Sequence, residues 1–418
     1  MVAALMAVDH FNDRNPAVIE ELAHPELLNC PFRLVNVTVV DTGTNGHMAT
    51  KTLLKRIQNV GAVDSLAGPY DDLPALELSV LATGMESPIV AFRGLDQSLV
   101  LPDVHPFFSQ VYPDLNGEME FVGKFLTYTN RTNYIAVLHS NEDAVLQRIE
   151  VLRKVLLHRN IDQVKTFGYQ GIGKLQEGED SGIVDAVRQI AKTGYRTILL
   201  IITNPDLDAP EIGRAVHDFK LDRGDHFWIM VGGLDPSSSL KAELLSEIRY
   251  LPEGQHLQGM AYLYIFDTHH IYQNSTFQTA IRQQNMTFME KVVNMTPVPS
   301  YYSGSSCEQD TRQCELLGLT LPSLFQLAIL SERLEFAYDA IMAIGIGACN
   351  ALTDSGGMDT NATAITGEQH LDGIQSADFN GVTGRVRFKN LPGTPGSREG
   401  SSVYYGVLNL NRRDADNR

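Results

Sequence analysis

At 418 residues the chain exceeds what one hydrophobic core usually serves, so two domains of ordinary size are expected, and a hydrophobic content of 43% can fill both. A formal net charge of −17 repels phosphate backbones and anionic lipid, which excludes nucleic acid and polybasic membrane docking. Four cysteines are too few for a disulfide-built scaffold and their spacing matches no zinc site, so neither metal nor cofactor is expected.

Strand and helix patterns alternate along the chain. Leu34 to Val40 alternates as a strand, and His47 to Val60 places Leu53, Leu54, Ile57 and Val60 at helical spacing. Ala62 to Leu66 is a short apolar run closed by Gly68-Pro69. Helix Leu73 to Thr83, strand Pro88 to Ala91, helix Gly117 to Tyr128 and strand Tyr134 to His139 follow. The theme continues with strand Thr197 to Ile202, helix Pro210 to Phe219 and strand Phe227 to Val231. Short β-rich runs joined through helices predict an α/β, doubly wound fold with parallel sheets covered on both faces. Thr353 to Gln369 is polar, and Asn411 to Arg418 reads as a charged, disordered tail. Cys307 and Cys314 flank a polar stretch after Ser303-Gly304-Ser305-Ser306, where a local disulfide is expected. For Cys30, before a strand, and Cys349, in an apolar helical run, a buried free thiol reads at least as well as a bridge.

Asn-x-Ser/Thr acceptors for N-linked glycans occur at Asn36, Asn130, Asn274, Asn285, Asn294 and Asn361, more than composition alone would scatter. Glycan acceptors need exposed backbone in a secreted compartment, so the chain reads as extracellular. Asn36, inside an apparent strand, is the one expected to stay bare. No signal peptide or span of roughly 18 apolar residues stands out, so an excised piece of a longer protein is expected.

Catalytic signatures are missing, and no enzyme is expected. There is no Gly-x-Ser-x-Gly elbow, no His-Glu-x-x-His and no phosphate-binding loop; Gly171-Ile172-Gly173-Lys174 lacks the spacing and the Ser/Thr, and reads as a flexible loop. His269-His270 would point to opposite faces of an extended chain, a poor metal pair. In a doubly wound sheet ligands sit beyond the carboxyl ends of strands, where helix N-termini offer free N–H groups. That singles out Gly68 to Asp72, Phe92 to Asp96, Ser140 to Ala144, Thr203 to Asp206 and Gly232 to Asp235. Asp71-Asp72 at a helix start reads as satisfying the helix dipole before it reads as a cation site.

Several segments carry a resemblance in their order. Ala3 to Asn15, Asp41-Thr42, Gly68-Pro69, and Phe107-Phe108 with Tyr112-Pro113-Asp114 come first. Phe227-Trp228-Ile229, Phe336-Ala337-Tyr338-Asp339-Ala340 and Phe379 to Phe388 (Phe-x-Gly-x-x-Gly-x-Val-x-Phe) follow. Together they resemble the type I periplasmic-binding-protein fold, the Venus flytrap ligand-binding region of receptors, over nearly the whole chain. The Ala-Tyr-Asp-Ala helix and overall spacing are most similar to metabotropic GABA (type B) and other class C G-protein-coupled receptors.

The resemblance implies two lobes joined by a three-strand hinge. Lobe 1 would hold Met1 to Tyr112 and Ile265 to Leu371; lobe 2 would hold Pro113 to Tyr264 and Asp372 to Arg418; the first strand of lobe 1 would be missing. It implies a receptor ectodomain on the outer face of a membrane, closing on a small molecule, dimerising through lobe 1 as a homo- or heterodimer, and reaching a G protein through a membrane module outside this chain. A receptor cyclase ectodomain and a transporter's substrate-binding protein are the alternatives. The ligand-binding residues would be Tyr70, Asp71 and Asp72 on one loop, Arg93, Gly94 and Asp96 on the next, and Tyr112 and Asp114 at the crossing. Carboxylates there suggest an amino acid or amine, with its amine toward lobe 1.

Overall fold

The computed structural model describes residues 2–38, 46–69, 72–93, 96–176, 179–202, 205–222, 225–231, 260–265, 334–354, 365–389, 396–400 and 405–410. The chain divides into two compact units, Met1–Asp114 with Asp267–Val403, and Leu115–Phe266 with Tyr404–Arg418.

In chain order, unit 1 opens with α1 (Val2–Asp13), the short α2 (Pro25–Leu28), α3 (Gly46–Val60), β1 (Leu66–Ala67), α4 (Asp72–Gly84), β2 (Ile89–Ala91) and β3 (Phe108–Pro113). Unit 2 then runs α5 (Leu115–Tyr128), β4 (Ile135–Ser140), α6 (Asp143–His158), β5 (Val164–Tyr169), α7 (Ile183–Thr193), β6 (Thr197–Ile201), α8 (Pro205–Asp218), β7 (Phe227–Val231) and β8 (Met260–Ile265). The chain returns to unit 1 with α9 (Leu334–Asp354), α10 (Gly367–Gln375), β9 (Asp378–Gly381), β10 (Gly384–Arg387) and β11 (Ser397–Arg398), and ends in unit 2 with β12 (Tyr405–Leu410).

Unit 2 carries a six-stranded sheet in the order β12-β8-β7-β6-β4-β5, parallel except for antiparallel β12 against β8. Strands covered on both faces should read as continuous apolar runs, and β6 (Thr-Ile-Leu-Leu-Ile) is buried at every position. Ala136, Leu138, Ile198, Leu200, Trp228 and Met230 pack on one face with α7 and α8 residues such as Ile183, Val187, Ile190, Ile212 and Val216. Side chains alternate along a strand, and Ile135, Val137, Leu199, Ile201 and Ile229 are buried too, so the other face is covered as well.

The four-stranded sheet of unit 1, β1-β2-β3-β11, is all parallel. Ala49 and Leu53 of α3 and Ala75, Leu78 and Ala82 of α4 cover it through Ile89, Ala91 and Phe108. Helix α9 packs against β1, β2, β3, α1 and α10. Its stretch Glu335–Thr353 is long and apolar enough to cross a bilayer, but 83% of that window is buried inside the protein. A helix apolar on all sides is here a core helix. Contact between α9 and α10 is close enough to require glycine: a Cβ at Gly373 would lie 2.1 Å from the Gly347 carbonyl oxygen. Thr366 starts α10 with a capping box, its hydroxyl accepting from Gln369 N while the Gln369 side chain accepts from Thr366 N. A helix therefore begins inside the stretch that reads as polar from sequence.

Three buried polar links and a disulfide tie separate segments of unit 1 together. Asp339, fully buried on α9, accepts from the backbone N–H groups of Val382 (2.8 Å) and Thr383 (2.9 Å) and from the Thr383 hydroxyl. Burial pushes its carboxyl group up from the ordinary range; Arg398 and these donors oppose that. A Cβ at Gly381 would sit 2.5 Å from the Asp339 carboxylate, so the turn needs glycine there. Arg398, also fully buried, donates to the Thr383 hydroxyl and to the carbonyls of Val111, Thr383 and Arg385. Lys389 pairs with Asp114 at 2.7 Å, and Cys30 is disulfide-bonded to Cys349 across 319 residues of sequence.

One alternative left open by the sequence is decided and three readings need correction. Cys30 and Cys349 are not free thiols, because the turn after α2 lies against α9 with Cα atoms 5.6 Å apart; Cys307 and Cys314 lie outside the described residues. Residues 34–38 form no strand, since their neighbourhood is bonded by side chains of the first helix: Asn12 brackets Leu34 with two 2.8 Å hydrogen bonds, and Arg14 reaches the Phe32 carbonyl. The last passage between units falls after Val403 and not at Asp372, because the β9–β10 hairpin is bound by Asp339 and β11 pairs with β3. Ile172–Lys174 is a short 3-10 helix whose Ile172 N–H donates to Asp208, and not a loose loop.

Candidate functional site

Three strand ends of unit 1 carry the expected ligand loops. After β1, Gly68-Pro69 is a cis peptide, and Pro69 O accepts from Phe92 N at 3.0 Å, joining the first loop to the second. Beyond β2, Arg93 lies with its guanidinium 5.4 Å from the Tyr112 ring centroid, and Tyr112 packs at 5.2 Å against Phe336 at the start of α9. Arg93 and Tyr112 are thus brought together, with Phe336 behind them. A cation over a ring at such a site is worth about 0.5–1 kcal/mol.

The carboxylates are engaged within the protein. Asp96 caps the short helix Gln97–Val100, accepting from Ser98 N at 2.8 Å and the Ser98 hydroxyl at 2.6 Å. Asp72 opens α4, where a negative charge satisfies the helix dipole. Asp114 is buried against Lys389, which neutralises it. Two of the acids expected to draw an amine therefore have structural partners. Tyr70, Asp71 and Gly94 lie outside the described residues, as do His269 and His270.

Unit 2 has its own polar cluster beyond β4 and β5, which sequence reading flagged only as the loop Ser140 to Ala144. Asn141 N donates to Tyr169 O at 2.8 Å, and Glu142 precedes α6. The Tyr169 hydroxyl donates to Asp208 at 2.9 Å, and Ser181 donates to Glu211 at 3.0 Å. Burial, chiefly, and the neighbouring Glu142 and Glu211 push the Asp208 carboxyl up; burial and Asp208 push the Tyr169 phenol up. Asp208 and Tyr169 come from separate segments that no short motif joins, so no spacing signal could have paired them. Among the described residues no group of three His, Cys, Asp or Glu could hold a metal ion.

Of the glycan acceptors, Asn36 and Asn130 are described, and both are exposed at positive φ. Asn36 sits in a bend, so the strand that argued against its modification is not there. Asn274, Asn285, Asn294 and Asn361 lie outside the described residues.

Residues 1–396 match the family described as Receptor family ligand binding region. No individual curated protein matches the chain. The chain belongs to this receptor ligand-binding family, whose fold is type I periplasmic-binding-protein-like.

Proposed function

We propose that this receptor ligand-binding region is the extracellular portion of a GABA-B-like class C G-protein-coupled receptor. Its ligand would be a small amino acid or amine. The family match over residues 1–396 carries the receptor reading. The class C assignment is supported by the helix Ala337-Tyr338-Asp339-Ala340, whose aspartate binds the Gly381-to-Gly384 turn of the second motif. An extracellular position is supported by the Cys30–Cys349 bridge, since such bonds persist in oxidising compartments, and by two exposed glycan acceptors.

Arg93, beside Tyr112 at the ends of β2 and β3, is a cation suited to a ligand carboxylate, which favours a zwitterionic amino acid over a simple amine. Signalling would follow from closure: a ligand shifts the equilibrium only by its differential affinity for the closed arrangement. Self-association through unit 1 is supported by exposed apolar side chains on α3 (Met48, Leu54) and α4 (Leu73, Val80). The G-protein link would run through a membrane module beyond this chain.

The downstream coding sequence tests the assignment. Seven membrane spans after residue 418 are expected; one span followed by a cyclase domain would replace the reading with a receptor cyclase, and a stop without a span with a transporter's binding protein.

A further inference from the structure

Helix α5 ends in a turn whose details serve more than helix termination. Arg131 N donates to Leu126 O (2.8 Å) and Asn130 N to Thr127 O (3.1 Å), a Schellman closure with Asn130 at the left-handed position, φ 53°. Asparagine tolerates that conformation, so the turn alone explains Asn130. Helix α6 ends the same way at Asn160, φ 57°, with Ile161 N on Leu156 O and Asn160 N on Leu157 O. There the comparison ends. Two residues after Asn160 comes Asp162, but two after Asn130 comes Thr132, which completes a glycan acceptor. Two residues before Asn130 stands Tyr128, 90% exposed, the most exposed large apolar side chain among the described residues. Tyr134, across the same turn, lies against Tyr195 with ring centroids 5.5 Å apart. Among the described residues nothing covers the Tyr128 ring, and that exposure is not required to terminate the helix.

We propose that Asn130 is an N-glycan acceptor and that Tyr128 is the platform on which its first sugar stacks, the apolar face of the pyranose lying on the ring. The proposal rests on the extracellular reading. In the transfer, the bond between the anomeric carbon and the pyrophosphate oxygen of a lipid-pyrophosphate-linked oligosaccharide breaks. A bond from that carbon to Asn130 Nδ2 forms, Nδ2 loses one proton, and the lipid pyrophosphate departs. The acceptor amide is presented on a turn already closed by backbone hydrogen bonds, and the exposed ring is two positions away along it.

The test directs the chain into the secretory pathway of a glycosylating host and reads occupancy by glycopeptide mass spectrometry. Thermal midpoints are then compared with and without Thr132→Ala, in the Tyr128 and Tyr128→Ala backgrounds. Asn130 should be occupied. Its glycan should raise the unfolding midpoint of unit 2 by about 2–4 °C with Tyr128 or Tyr128→Phe, and by nothing with Tyr128→Ala. Asn130 bare while any other acceptor carries a glycan would overturn the proposal and leave the extracellular reading standing; all six bare would remove both. A glycan whose effect on the midpoint is zero, or equal in both backgrounds, would overturn the stacking.

Discussion

Units 1 and 2 use the same layered architecture but are held by different means. The described part of unit 2 is mostly one run of chain built round an apolar cluster from Ala136 to Met230, and its buried Tyr169–Asp208 and Arg148–Glu118 pairs link segments of that same run. Unit 1 is assembled from both halves of the chain and joined by buried polar and covalent links: Asp339 to the β9–β10 turn, Arg398 to β3 and that turn, Asp114 to Lys389, and Cys30 to Cys349. Apolar contacts can slide and repack, whereas a buried carboxylate is satisfied by one arrangement of donors. Segments that meet late in the chain thereby acquire a defined register.

The sharpest way to break this comparison is to remove a link. Asp339→Ala strands the Val382 and Thr383 N–H groups and the Arg398 charge in the interior, and should cost about 3–5 kcal/mol. Hydrogen exchange read by peptide should show unit 1 losing protection while β4 to β7 keep theirs; equal loss in both would contradict the distinction. Cys349→Ala should cost about 2–5 kcal/mol, seen as a lower denaturant midpoint, again with unit 1 yielding first. Leu200→Met in the unit 2 core conserves volume and should cost less than about 1.5 kcal/mol in the same measurement. Thr366→Ala removes one cap from α10 and should cost about 1 kcal/mol.

Acid sharpens the contrast further. Burial, the largest cause in each case, holds His10, His105 and His370 of unit 1, and His139 of unit 2, below the ordinary imidazole value of 6.5. A folded imidazole that resists protonation contributes stability that is complete above 6.5 and is lost as pH falls toward the depressed folded value, because the unfolded chain binds the proton first. Between pH 7.5 and 5 unit 1 should weaken more than unit 2 by exchange, and His370→Gln should flatten its slope.

The same difference explains what could be read without coordinates. Helices α3 and α4 announce themselves by periodicity, and strands β4, β6 and β7 by continuous apolar runs, since burial on one face imposes a repeat and burial on both imposes a run. The Ala-Tyr-Asp-Ala and Phe-x-Gly-x-x-Gly motifs were legible because Asp339, Gly381 and the turn between β9 and β10 fit no other residues comfortably. Their mutual contact, 43 residues apart, was not legible, nor was the Cys30–Cys349 bridge across 319 residues, because both depend on the three-dimensional return of the chain. Of the site, Arg93 and Tyr112 were named and are together. Asp96 and Asp114 were named for a charge that Ser98 donors and Lys389 already occupy, which the order of residues does not reveal.

The proposal with the widest consequence is that this receptor ligand-binding region takes a small zwitterionic amino acid, its carboxylate on Arg93 beside Tyr112. Isothermal titration calorimetry of the folded chain against amino acids, amines and dicarboxylates tests it most directly. Saturable single-site binding of an amino acid with a negative heat-capacity change is expected, weakened roughly tenfold or more by Arg93→Ala, the loss of one charge-assisted contact. Absence of binding across the panel, or tight binding of a dicarboxylate that Arg93→Ala leaves unchanged, would contradict it.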